Sequence, residues 1–149
     1  MRAVVQRVST AEVKIDGNSV GKIDKGFLVL LGVTHTDTIK DVEWLVNKIK
    51  GLRVFEDSEG KMNLGLDDIK GDIFIVSQFT LYGNCLKGKR PSFIEAARPE
   101  TAIPLYEKFI DMFKNAGLNK VEHGVFGADM KVSLINDGPV TLIIDTPEK

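Results

Sequence analysis

The chain of 149 residues is 43% hydrophobic and 28% charged, and its 20 basic and 21 acidic side chains leave a formal net charge of −1. A chain of this length buries roughly 68–70% of its unfolded surface, enough for a core without metal or disulfide staples, and the single cysteine, Cys85, excludes an intramolecular disulfide. The charge balance speaks against a protein that coats nucleic acid through many phosphate contacts. The longest apolar run, Phe27 to Leu31, falls far short of the ~20 residues of a bilayer-spanning helix. The start Met1-Arg2-Ala3-Val4-Val5-Gln6-Arg7 lacks a signal-peptide core, so a reducing, cytoplasmic setting is the expectation. Without repeat, linker or low-complexity stretch, residues 1–149 read as one domain.

In chain order, β-branched and aromatic enrichment predicts strands at Ala3 to Val8 and Ala11 to Ile15, a turn at Asp16-Gly17-Asn18, and a strand at Phe27 to Val33. From about Asp37 to Lys50, Ile39, Val42, Leu45, Val46 and Ile49 share one helical face, with Asp37 or Thr38 as cap and Gly51 after the end. Trp44 lies opposite that stripe, where a covering loop is favoured over a subunit contact. Strands follow at Gly51 to Phe55 and Ile73 to Leu81. A second helix, about Glu100 to Ala116, aligns Leu105, Tyr106, Phe109, Met112, Phe113 and Ala116 and stops at Gly117, with Pro104 expected in its first turn. Strands at Met130 to Asn136 and Val140 to Asp145 close the chain around an Asp137-Gly138 turn. The class is α+β: a largely antiparallel β-sheet or barrel-like core covered by two main amphipathic helices.

The usual catalytic devices are absent. His35 and His123 have no partner at metal-ligand spacing, so no metal is expected. Gly124-Val125-Phe126-Gly127 fits neither phosphate-loop pattern, so no nucleotide cofactor is expected either. Cys85 lies near Lys87 and Lys89, but a lone loop cysteine is more often incidental than nucleophilic.

Two strand ends turn polar instead. In a regular strand, Gln78 and Thr80 would share the face of Phe74 and Val76. Either Ser77, Gln78 and Thr80 satisfy neighbouring backbone, or they form a pocket floor where hydroxyl, amide and N–H groups meet a ligand carbonyl; the segment alone favours the first. The second strand end runs through Asn136-Asp137-Gly138-Pro139-Val140-Thr141, ordinarily a plain hairpin, yet a proline straight after the turn donates no hydrogen bond. A cis Gly138-Pro139 bond would aim successive carbonyls the same way, suiting an ammonium group. A third feature, Lys87-Gly88-Lys89-Arg90, is either a solvated loop or, beside a pocket, a site for a phosphate or two.

Ser77-Gln78-Phe79-Thr80-Leu81 together with Asn136-Asp137-Gly138-Pro139-Val140-Thr141 resembles the signature pair of the D-aminoacyl-tRNA deacylases. The likeness extends over essentially the whole chain, including Arg90-Pro91-Ser92-Phe93 and Gly124-Val125-Phe126-Gly127-Ala128-Asp129-Met130. It implies a homodimer that hydrolyses the ester joining a D-amino acid, or glycine, to the tRNA 3′ adenosine. It implies a cis Gly138-Pro139 that enters the partner subunit's pocket, held by Arg7 and flanked by Asn136, to face the substrate ammonium and exclude an L side chain. It implies that Ser77 to Thr80 line the ester, with the N–H groups of Phe79 and Thr80 as the oxyanion site. Lys87, Lys89 and Arg90 would contact tRNA, and no DNA or membrane partner is expected. Gly83-Asn84-Cys85-Leu86 departs from the polar residues common after Tyr82 in the family.

A threonine hydroxyl is a poor nucleophile without a base, and these motifs contain none. Water attack assisted by the ribose 2′-hydroxyl is therefore preferred over a Thr80 acyl-enzyme. A binding module that holds a 3′ end without cleaving it, and an esterase for small D-amino-acid esters, are the competing readings.

Overall fold

A computed structural model describes residues 1–149. The chain forms β1 (Arg2–Ile15), β2 (Asn18–Ile23), β3 (Gly26–Gly32), α1 (Ile39–Gly51), β4 (Phe55–Glu56), β5 (Met62–Leu64), β6 (Asp72–Ser77), α2 (Pro99–Lys114), β7 (Lys120–His123) and β8 (Lys131–Asp145), with a short 3-10 turn at Phe79–Tyr82 after β6. The sheet runs β2-β1-β3-β6-β7, and β8 pairs with the other edge of β1. β1 is antiparallel to β2, β3 and β8, whereas β3-β6 and β6-β7 are parallel. The sheet is thus mixed: α1 and α2 lie in the two crossovers that parallel neighbours require, and the strands curl into a nearly closed barrel.

Curling explains why the central strands are apolar without alternation. Phe27, Val29, Leu31, Ile73 and Ile75 face α1 and α2 in one core cluster. Leu28, Phe74 and Val76 point the other way, into a second cluster inside the barrel with Val8, Ala11 and Val13. A strand covered on both faces reads as a continuous hydrophobic run. Asp72, buried at the start of β6, is satisfied by the Asp24 N–H at 3.0 Å and Asn119 Nδ2 at 2.7 Å.

Both helices form where the periodicity places them. Thr38 and Asp41 make a reciprocal capping box at the start of α1. Trp44 is half-buried against the helix-side core, with Lys48 Nζ 5.2 Å from its ring centre.

Several sequence expectations are corrected. The first two predicted strands are one, β1, with register shifts at Arg7 and Ser9, on either side of Val8. Gly51 to Phe55 is not a strand: Gly51 ends α1, and only Phe55–Glu56 is extended. β2 and β7 escaped prediction because they are short and mostly polar, β2 largely exposed and β7 largely half-buried. Pro104 lies inside α2, which begins at Pro99, rather than in its first turn. The larger correction concerns Asn136 to Thr141. No hairpin forms, because β8 continues along β1 on both sides. Gln6 pairs with Thr141 and Val8 with Asn136, so residues 137–140 bulge out opposite Arg7 alone. The other predicted strand, Ile73 to Leu81, stops at Ser77, so Gln78 and Thr80 do not continue the Phe74 and Val76 face.

Candidate active site

The strand stops where its neighbour stops. The Gln78 N–H donates to Leu31 O at 2.8 Å, and beyond that rung β3 ends at Gly32. The chain then turns across Gly32, where a Cβ would stand 3.1 Å from Leu81 Cβ and 3.2 Å from Gln78 O. Glycine is therefore what lets the 3-10 turn lie against the end of β3. Leu81 N–H bonds to Gln78 O at 3.2 Å and Gly83 N–H to Thr80 O at 2.9 Å. The first N–H groups of such a turn have no acceptor within it, and here they belong to Phe79 and Thr80. Gln78 Nε2 hydrogen-bonds the Thr80 hydroxyl.

Ser77, Gln78 and Phe79 form one side of a cavity of about 290 Å³; Phe126, Asp129 and Met130 belong to the other. Tyr106 of α2 supports this wall from below. Its buried hydroxyl shares its one proton between Ile75 O at 3.2 Å and Gly124 O at 3.4 Å, and burial raises its pKa above the ordinary tyrosine value. The carboxylate in the cavity, Asp129, is exposed and paired with Lys131 Nζ at 3.1 Å. The sequence reading missed this wall as a site element; the glycines at 124 and 127 were its visible signal, since Gly127 has φ +78° and Met130 Sδ fills the space where a Gly124 Cβ would stand.

Arg7 and Asn136 build the bulge in β8. The buried Arg7 side chain donates through Nε to Asp137 O at 2.8 Å and through Nη1 to Val54 O at 2.6 Å. Asn136 spans the bulge: its Oδ1 accepts the Val140 N–H at 2.7 Å, and its Nδ2 donates to Thr141 Oγ1 at 2.8 Å. Gly138 has φ +139°, and a Cβ there would stand 3.0 Å from Arg7 Nη2, so only glycine fits. The Gly138-Pro139 peptide is cis, and both residues are exposed. None of residues 136–139 lines the cavity beside Ser77 and Gln78. One chain therefore presents the two signature segments as separate structures.

Lys87, Lys89 and Arg90 form a third group, on an exposed loop closed by the Asn84 and Ser92 backbone pair at 2.8 and 2.9 Å. None of these cations enters an ion pair.

A mixed barrel carrying a polar turn at the end of a buried strand, and a backbone bulge clamped by arginine, defines a site built mostly of main-chain groups. The family model for D-Tyr-tRNA(Tyr) deacylase matches residues 4–145, and the chain belongs to that family. A D-aminoacyl-tRNA deacylase of Fusobacterium nucleatum is 61% identical over 99% of this chain and 97% of its own length. One of Thermosipho melanesiensis is 60% identical over 98% and 97%. A solved structure described as c-Myc DNA Unwinding Element Binding Protein superposes with a TM-score of 0.93 at 42% identity, covering 99% of this chain and 100% of that one. A second, described as a probable eukaryotic D-amino acid tRNA deacylase, shares the fold at a TM-score of 0.81 and 17% identity. The chain is accordingly a hydrolase of the aminoacyl-tRNA ester bond.

Proposed function

We propose that residues 1–149 act as a single cytoplasmic deacylase domain that discards D-aminoacyl-tRNA, and glycyl-tRNA, while sparing L-aminoacyl-tRNA. The observation that carries the chemistry is the pairing of Gln78 Nε2 with the Thr80 hydroxyl. A side-chain amide is not a base, so it does not activate Thr80 as a nucleophile. It orients the hydroxyl, while the adjoining N–H groups of Phe79 and Thr80 supply donors for the charge that develops on the ester oxygen. Water attacks with help from the ribose 2′-hydroxyl, and the protein contributes orientation and oxyanion binding.

Chiral selection rests on the bulge. Arg7 and Asn136 fix Gly138 and Pro139 as a protruding, exposed backbone wall, one that would complete the neighbouring subunit's pocket in a homodimer. Supporting this, β8 pairs on one edge only, has no fully buried residue, and exposes Ile135 and Ile143 at 59% and 70%. A strand edge with unpaired N–H and C=O groups is a ready template for a second chain. Across that interface the backbone carbonyls would meet the substrate ammonium and occupy the space of an L side chain.

Incubation of catalytic amounts of enzyme with D-tyrosyl-, L-tyrosyl- and glycyl-tRNA tests the reading. Loss of the D and glycyl esters with survival of the L ester is expected. Equal loss of the L ester would sink the chiral wall, and survival of all three would leave a binding module.

A further inference from the structure

Phe79 separates the cavity described above from a larger one. On its other side lies a space of about 590 Å³, lined among others by His35, Phe79, Phe93, Ile94, Arg98 and Phe126. That volume falls within the roughly 300–1,000 Å³ typical of small-ligand sites. Its surface is apolar and open: Phe79, Phe93 and Ile94 are 55%, 37% and 81% exposed, and Phe79 and Phe93 meet edge to face with ring centres 5.2 Å apart.

The loop that forms its outer wall, residues 83–98, has no regular structure. Structureless loops beyond about 12–15 residues are uncommon and usually functional, and this one is pinned. Ala97 N–H donates to Val33 O at 2.9 Å, Thr34 Oγ1 donates to Glu95 O at 2.5 Å, and His35 Nε2 lies 2.6 Å from Ile94 O. Phe93 is seated against Gly83, where a Cβ would stand 3.0 Å from Phe93 Cε1. The same loop carries Lys87, Lys89, Arg90 and Arg98 against the single acid Glu95, and Arg98, like the other three, has no ion-pair partner. Of these cations Arg98 lines the cavity, and a preorganised aromatic wall beside an unpaired cation is the arrangement that holds single-stranded nucleic acid, with a base against the rings and a phosphate at the cation.

We propose that this second cavity binds the nucleotide immediately 5′ of the terminal adenosine, its base against Phe93 and Ile94 and its phosphate at Arg98. The proposal rests on the deacylase reading, which places the terminal ester at the far side of Phe79. The wall shared by the two cavities puts the next unit of the strand where this pocket opens. Stacking reads no base edge, so the pocket accepts the shared 3′ end of every tRNA.

The test compares D-tyrosyl-tRNA with 3′-O-D-tyrosyl-adenosine, which lacks the preceding nucleotide, for wild type, Phe93→Ala, Phe93→Trp and Arg98→Gln. For Phe93→Ala, a KM on the tRNA substrate raised by about tenfold, with unchanged kcat, unchanged hydrolysis of the adenosine ester and rescue in Phe93→Trp, is the expected result. Arg98→Gln should flatten the salt dependence of KM by about 0.7 in log–log slope, one single-strand phosphate. Equal losses on both substrates, wild-type kinetics in Phe93→Ala, or weaker self-association of that variant in sedimentation would each overturn the subsite while leaving the deacylase reading intact. Failure of wild type to cleave either ester would overturn both.

Discussion

Thr80 is the residue on which the mechanism turns. Its hydroxyl is held by an amide and its N–H stands at the head of a 3-10 turn, so the two contributions are separable. Thr80→Val removes the hydroxyl and keeps the N–H. If water is the nucleophile, kcat should fall only about tenfold, the worth of roughly one neutral hydrogen bond. Complete loss, with a trapped aminoacyl-enzyme in wild type, would establish the covalent route. Tyr106 offers a second residue-level test. Burial raises its pKa above the ordinary value, so above about pH 10 the unfolded chain releases this proton before the folded one does, and stability falls as pH rises. Tyr106→Phe should remove that part of the alkaline loss while costing about 1 kcal/mol at neutral pH for its hydrogen bonds. Chemical denaturation between pH 7 and 11 reads both effects.

At the scale of elements, the site joins the ends of strands to loops that must approach them closely. Met130 reaches the cavity across Gly124, because its sulfur occupies the position of a side chain at 124. Gly124→Ala should displace Met130 into the cavity and lower kcat/KM on D-tyrosyl-tRNA, at a stability cost of about 1–3 kcal/mol typical of overpacking. Adding Met130→Ala should restore much of the activity, and a double-mutant cycle over kcat/KM measures the coupling. The same scale shows where the sequence was legible. The helices were, because α1 and α2 each present an apolar stripe of helical period, and Thr38 caps the first. The end of β6 was not. Nothing local in Val76-Ser77-Gln78-Phe79 says that the strand stops at Ser77; it stops because β3 stops at Gly32 and the chain must turn across it. Residues 137–140 were misread for a related reason. Asp-Gly is a turn signal, but Arg7, distant in sequence, holds this stretch as a bulge in a strand that β1 keeps straight on either side.

At the scale of the molecule, one chain keeps Ser77 to Thr80 apart from Gly138 and Pro139, and the homodimer proposal follows from that separation. Activity should therefore fall with the dimer fraction on dilution. Deacylation assayed alongside sedimentation tests this, and a fully active monomer would contradict it. The net charge of −1 gains a more limited meaning at this scale. It averages over a surface that concentrates unpaired cations on one loop, so it speaks against extensive phosphate coverage rather than contact with one tRNA end.

The sequence by itself determined the α+β class, both helices and the buried strands, because these depend on local periodicity and on residue types with narrow conformational preferences; the two signature segments stood out only through their resemblance to a family. Only the tertiary structure decided the mixed sheet, the turn at Gln78, the clamp of Arg7 on Asp137 and the wall at Phe126 to Met130. Each of these depends on hydrogen bonds or close packing between segments far apart in the chain, and no local preference encodes such a pairing.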